Sequence, residues 1–241
     1  MKTLRSLILW LGLLALAAGL CAKDFEGKIR FKMTPPGAPA KTAGGDSSIY
    51  MNYCLKAGLV RMDTEPASGK VMSMIVDTVK QEMTILMPEQ KMYMVRKMSA
   101  PQNTAGTATP VNDVDFVRTG ETTTILGYKC EKILIKGKEG ETEVWAAEGL
   151  GAFQGMGNRN PMGRQAPKSA WEAALAQHGF FPLRTVTRDK SGKELMRLEA
   201  VSIDPQSLAD SVFAPPADYQ KFEMPSIPGL GGMNPFGRKS D

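Results

Sequence analysis

The stretch Leu86-Met87-Pro88-Glu89-Gln90-Lys91-Met92-Tyr93-Met94-Val95 decides how this 241-residue chain is to be read. It has the pattern of a hairpin, with apolar residues on both sides of a polar tip. Side chains alternate across a strand, so the register of the pair sets what each face carries. With Glu89-Gln90 at the tip, Met87 lies opposite Met92 and Ile85 opposite Met94. If Asp77 also pairs with Glu82 around the preceding turn, Met72 joins Met87, Met74 joins Ile85 and Val76 joins Met83. Neighbouring strands then build one continuous thioether and aliphatic face.

The turn at Lys56-Ala57-Gly58 supports the same reading. Pairing Leu55 with Val60 puts Tyr53 opposite Met62 on one face. Cys54 with Arg61, Asn52 with Asp63 and Tyr50 with Glu65 then share the other. One apolar face and one solvated face mark an antiparallel sheet.

Working outward, further strands are expected over Phe25 to Met33, Ser48 to Leu55, Leu59 to Thr64, Val71 to Asp77, Thr122 to Leu126, Lys129 to Lys136, Glu141 to Ala147, Phe181 to Arg188 and Glu194 to Ile203. Three segments rich in turn-forming residues break the rhythm and read as loops: Thr34 to Asp46, Ser99 to Asn112 and the Gly-rich Gly149 to Pro167. One helix is expected. Ser169-Ala170-Trp171-Glu172 matches a capping box, Gly179 suits the C-terminal cap, and Trp171, Ala174, Leu175 and His178 share a side that should cover a sheet. Residues 220–241 carry too few spaced apolar residues to fold alone and read as a flexible tail.

The N-terminus bounds the compartment. Lys2 and Arg5, the apolar run Leu7 to Leu20 and the small residues ending at Ala22 form the pattern of a secretory signal over residues 1–22. The run is short for a membrane span, which needs roughly 20 residues, and it is not repeated. An exported periplasmic protein is expected, not an integral membrane protein, with the folded domain over residues 23–219. Lipid attachment at Cys21 is disfavoured, because Leu20 stands where a lipobox wants a small residue. Losing Lys2 and Arg5 with the signal lowers the formal charge of +5 by two, which is too mild to point to nucleic acid. Cys54 and Cys130 then remain as an even pair in a compartment that permits disulfides. A bridge and two free, partly buried thiols both stay open.

Sixteen methionines allow three readings of the apolar face. Met is a flexible space filler, and an ordinary core is the default. Thioethers are also soft ligands for copper(I). Unbranched Met can, thirdly, line a pocket that adapts to apolar ligands of varied shape. Copper is weakened by the single His of the chain, His178, and by a face spread over several strands. Catalysis lacks its parts: no phosphate loop, His-Glu-x-x-His pair or Gly-x-Ser-x-Gly elbow occurs. His178, at a helix end, is placed to offset the helix dipole or cap a carbonyl. A non-enzymatic protein with no cofactor and no metal is expected.

Several stretches in order along the chain together resemble a known family. These are Lys56-Ala57-Gly58-Leu59-Val60-Arg61-Met62-Asp63, Met87 to Met94, Thr124-Ile125-Leu126-Gly127-Tyr128-Lys129-Cys130, Glu143-Val144-Trp145-Ala146-Ala147 and Val212-Phe213-Ala214-Pro215-Pro216-Ala217-Asp218-Tyr219. They look like the exported domain-of-unknown-function family 4412, itself similar to the outer membrane lipoprotein carrier LolA. The resemblance covers roughly Phe25 to Tyr219 and implies a mainly β, α+β fold: a strongly curved antiparallel half-barrel whose concave side is plugged by helices. It also implies a cavity for a lipid, a lipoprotein acyl chain or another hydrophobic small molecule. The expected ligand-binding residues are Met72, Met74, Val76, Met83, Ile85, Met87, Met92 and Met94, with Trp171 and Leu175 from the plug. Copper binding through Met thioethers and a module for an envelope protein partner are the alternatives. Fold alone does not choose among them.

Overall fold

The computed structural model describes residues 25–34, 48–65, 71–98, 114–138, 140–151, 153, 155 and 169–223. The expected signal, Cys21 and most of the three long loops lie outside them. Eleven strands follow the expected order: β1 Gly27–Thr34, β2 Ile49–Lys56, β3 Leu59–Glu65, β4 Met72–Asp77, β5 Glu82–Met87, β6 Met92–Lys97, β7 Asp115–Ile125, β8 Tyr128–Gly137, β9 Gly140–Ala147, β10 Phe181–Asp189 and β11 Glu194–Pro205. A twelfth, β12 Gln220–Lys221, was not expected. They form one sheet in the order β12-β6-β5-β4-β3-β2-β1-β11-β10-β9-β8-β7. Two meanders, β1 to β6 and β7 to β11, are joined side by side where β1 pairs with β11.

Local chemistry sets the registers. Ala57 and Gly58 both take positive φ, 42° and 83°, as a two-residue hairpin turn with the sheet's twist demands. That turn places Leu55 opposite Val60, Tyr53 opposite Met62 and Cys54 opposite Arg61. Pro88–Gln90 forms a single 3-10 turn closed by Lys91 at φ 50°, and Met87 meets Met92 while Ile85 meets Met94. Asp77 pairs with Glu82, Val76 with Met83 and Met74 with Ile85. The register read from the opening stretch is the observed one.

β7 starts seven residues earlier than expected. Its pairing with β8 shifts between Arg118 and Thr122, and Gly120 at φ 78° sits in the bulge, so the alternation that marks a strand is interrupted there.

The sheet is strongly curled. Phe25, entering β1, meets Tyr128 of β8 edge to face at 6.5 Å between ring centres, although β11, β10 and β9 lie between those strands. In a flat sheet the four strand steps would separate them by roughly 19 Å. The concave side holds the core. One α-helix is described, α1 Ala170–His178, which packs on β10 and buries Trp171, Ala174 and Leu175. His178 is exposed and stacks on Phe116 at 4.2 Å.

Of the two readings left open for Cys54 and Cys130, the structure shows the free thiols: both are buried, on β2 and β8 with four strands between them. Burial pushes both thiols above their ordinary pKa. The Gly-rich segment after Gly149 is no mere loop at its start: Leu150 and Phe153 are fully buried, and Phe153 packs between Tyr53, Trp171 and Phe181 at 5.6 to 6.3 Å. The plug is therefore one helix plus these two anchors among the described residues, not several helices. Finally, the chain does not leave the domain at Tyr219. Gln220 and Lys221 run parallel to Met92 and Tyr93 as β12, and residues 224–241 of the expected tail lie outside the described residues.

The convex side is also partly covered. After β11 the chain crosses the outside of the first meander as a strap. Leu208 N–H donates to Glu26 Oε1 (2.7 Å), Lys56 Nζ donates to the Leu208 carbonyl (2.5 Å), and Arg61 Nη1 donates to the Val212 carbonyl (3.0 Å). From β3 the strap reaches β6, where Gln220 N–H donates to the Lys91 carbonyl (2.8 Å). β4 and β5 lie between, and their outward Ser73, Ile75 and Leu86 are buried at 4% exposure each. The face expected to be solvated is thus dry at its centre.

Candidate functional site: a methionine-rich cavity

Period-two alternation and the observed registers lay the concave face of β1 to β6 out in rows. The first row is Leu55, Val60, Val76 and Met83, all at or below 4% exposure. The second is Ile29, Tyr53, Met62, Met74, Ile85 and Met94. The third is Phe31, Met51, Thr64 and Met72, continued in strand alternation by Met87 and Met92. Burial falls from the first row to the third, where Met72 is 49% exposed. The plug fills one end of the concave face and leaves the other open.

That open end is a cavity of about 760 Å3. Its apolar wall is built by Met33, Ile49, Met51, Tyr53, Met62, Val71, Met72, Met74, Ile85, Met87, Pro88, Trp171 and Met196, and its polar members are Thr64, Glu89, Gln90, Ser169 and Glu172; Ser73 and Leu86, outward by register, border it along their strands. Ligand sites of this kind are concave, largely apolar, and about 300 to 1,000 Å3 in volume. The seven methionine sulfurs come from six strands, β1 to β5 and β11. A stripe of unbranched side chains in an open wall can repack around different shapes, whereas a chelate needs sulfurs converging on one point. Among the described residues no group of three or more His, Cys, Asp or Glu could hold a metal ion.

Of the ten residues expected at a ligand site, Met72, Met74, Ile85, Met87 and Trp171 line the cavity. Val76, Met83, Met94 and Leu175 are buried in the packed core, and Met92 is half-buried outside the lining. The sequence pattern assigned the face but not how far along it the plug reaches. Tyr53 and Met62 were on the apolar face by register and could have been included. Met33 and Met196 could not, because β1 and β11 meet only through a pairing of segments more than 150 residues apart.

Four of the polar members, Ser169, Glu172, Glu89 and Gln90, sit at the helix start and the hairpin tip. Ser169 donates both its N–H (3.0 Å) and its Oγ–H (2.8 Å) to Glu172 Oε2, which holds this carboxylate at 4% exposure against the helix N-terminus. Tyr53 donates to the Gly155 carbonyl (3.0 Å), so its buried hydroxyl is satisfied and its ring faces the plug. The Ser169–Glu172 contact in this wall is a helix cap.

Residues 25–219 match the family model described as "Domain of unknown function (DUF4412)". No curated protein matches the chain. Among solved structures, the chain is similar to an uncharacterized conserved protein from Thermus thermophilus, at 12% identity and a TM-score of 0.50, over 83% of this chain and 91% of that one. It is also similar in outline to the Mycobacterium tuberculosis lipoprotein LppX (9% identity, TM-score 0.36, 77% and 90% covered). A putative outer membrane lipoprotein-sorting protein domain from Vibrio parahaemolyticus is a further likeness (10% identity, TM-score 0.30, 80% and 89% covered). At these identities the likeness is one of fold.

Proposed function

This chain belongs to the DUF4412 family, and from that membership and the cavity we propose that it is a non-enzymatic periplasmic protein that binds or carries a hydrophobic molecule, such as a lipid or a lipoprotein acyl chain. The observation that carries the reading is the unfilled, methionine-rich end of the concave face. A fold that only needed a core would extend the plug over the third row. Here Met72, an apolar side chain, is left half exposed. Each methylene of an acyl chain buried there would contribute about 0.8 kcal/mol. Roughly ten methylenes would then outweigh the several kcal/mol lost to immobilisation on binding. No helix among the described residues is long and apolar enough to cross a membrane.

The test is uptake of the neutral fluorophore N-phenyl-1-naphthylamine by the mature protein after organic extraction. Met72→Glu and Met74→Glu should each weaken uptake at least about tenfold, since a carboxylate would be buried against the probe. Met72 is half exposed, so its variant should keep the thermal midpoint. Lys190→Glu, in the exposed β10–β11 turn, should leave uptake unchanged. Equal uptake by wild type and both Met variants would reject the cavity as the binding site. Native mass spectrometry of gently purified protein adds the second reading: a mass shift of copper, removed by chelator and not by solvent, would favour a thioether metal site instead.

A further inference from the structure

The fold gives the thioethers of this chain very different access to water. Met83 and Met94, in the packed rows, are 1% and 3% exposed, and Met51 and Met62 are buried in the cavity wall. Met33, Met74, Met87 and Met196 are half-buried in the same wall. Met72 is 49% exposed, at the first position of β4 and the open end of the third row, opposite Thr64 of β3. The thiols that would compete with it for an oxidant are shielded. Cys54 and Cys130 are buried, and burial keeps them in the poorly reactive protonated form.

We propose that Met72 is a site of reversible oxidation by peroxide, and that its sulfoxide turns the cavity away from apolar ligands. The sulfur lone pair attacks one oxygen of hydrogen peroxide, and the S–O bond forms as the O–O bond breaks. Hydroxide leaves and takes the proton of the transferred oxygen, so the products are the sulfoxide and water. The thioether loses two electrons and the peroxide gains them. The protein has only to expose the sulfur, and Met72 is the lining methionine most open to solvent. A polar acceptor then replaces a flexible apolar group in the wall. An apolar tail lying on it would strip its water and offer no donor in exchange, which costs affinity. A methionine sulfoxide reductase reverses the step, with a dithiol giving two electrons and the oxygen leaving as water. The effect on the ligand rests on the proposed hydrophobic binding, whereas the order of oxidation rests on exposure.

The experiment treats the mature, solvent-extracted protein with hydrogen peroxide, stops the reaction early with catalase and reads each methionine by peptide mass spectrometry. Among the described methionines, Met72 should oxidise first, at least about tenfold faster than Met83 and Met94. The fraction oxidised at Met72 should take up N-phenyl-1-naphthylamine at least about fivefold more weakly, at an unchanged thermal midpoint. Sulfoxide reductases of both epimer specificities, with dithiothreitol, should restore uptake. Probe bound beforehand should slow the oxidation of Met72 severalfold. Met72→Leu, compared with its own untreated form, should lose most of the peroxide effect. Oxidation of Met83 or Met94 as fast as Met72 would overturn the site. Uptake unchanged by the Met72 sulfoxide, or lost only together with the fold, would overturn its effect on the ligand. Failure of the untreated protein to take up the probe would reject the cavity reading, and the order of oxidation would still decide the site.

Discussion

At the scale of single residues, Phe153 ties the cavity to the core. It comes from a segment whose composition is that of a loop, yet it is fully buried and touches the rings of Tyr53, Trp171 and Phe181 from three elements. Phe153→Ala should lower stability by about 3 to 5 kcal/mol, the usual cost of emptying a buried aromatic site, as measured by denaturant unfolding. A loss below about 1 kcal/mol would mean that the plug repacks without it. Glycine-rich sequence around a lone aromatic offers no periodicity, so nothing local announced its burial. The thioethers were legible as a face because strand alternation is a local rule. Their division between packed rows and open cavity was not, since Val76 and Met72 obey the same alternation and differ only in what stands over them.

Among the elements, the strap from Gln206 to Lys221 was the least legible. Its anchors are backbone groups and single side chains, with Glu26 at the centre. Glu26 accepts from the Leu208 N–H at 2.7 Å and lies 3.6 Å from Lys56. The Leu208 N–H above all, then the charge of Lys56, holds the Glu26 carboxyl below its ordinary value of 4.5. A depressed folded-state pKa contributes stability that is present above the unfolded value and is lost as pH falls through the folded one. Lys56, raised from 10.5 mainly by its hydrogen bond to Asp210, works in the other direction and contributes below its unfolded value. The cluster is therefore intact across neutral pH and fails on acidification. Glu26→Gln should lower Tm at pH 7, and the gap to wild type should close as pH is taken toward about 3, below the ordinary carboxylate range. A gap independent of pH would show that shape, not charge, is what the substitution removes. By contrast, α1 was legible in full, because its capping box and its C-terminal Gly179 at φ 71° are local signals.

On the scale of the whole molecule, the sheet uses its two faces differently. The concave face is filled by α1, Leu150 and Phe153 at one end and left open at the other. Ser73, Ile75 and Leu86 on the outward side of β4 and β5 are buried, and the strap runs from β3 to β6 across that side. A chain ending at Glu223 and one ending at Pro205 should differ in unfolding free energy by about 3 to 6 kcal/mol, from re-exposing Ile75 and Leu86 at about 1.5 to 3 kcal/mol each. The shorter chain should also bind an apolar dye on its outside, and Met72→Glu should not suppress that signal. Equal stability of the two chains would show that the strap is dispensable. The edge strand β7 carries Asp115, Arg118 and Glu121 and a bulge, features that discourage edge-to-edge pairing with another copy.

Read alone, the residues determined the hairpin registers, the antiparallel β class, the capped helix and the thioether face. All of these follow from rules that act within about ten residues: side-chain alternation, turn chemistry and capping. Only the tertiary structure decided which part of that face is core and which is cavity, that Cys54 and Cys130 stay apart as free thiols, and that the C-terminal segment straps the convex side. Those outcomes depend on the β1–β11 pairing and on the curl that brings Phe25 to Tyr128. Contacts between distant segments are chosen by the packing of the whole sheet, and no short window of sequence carries that information.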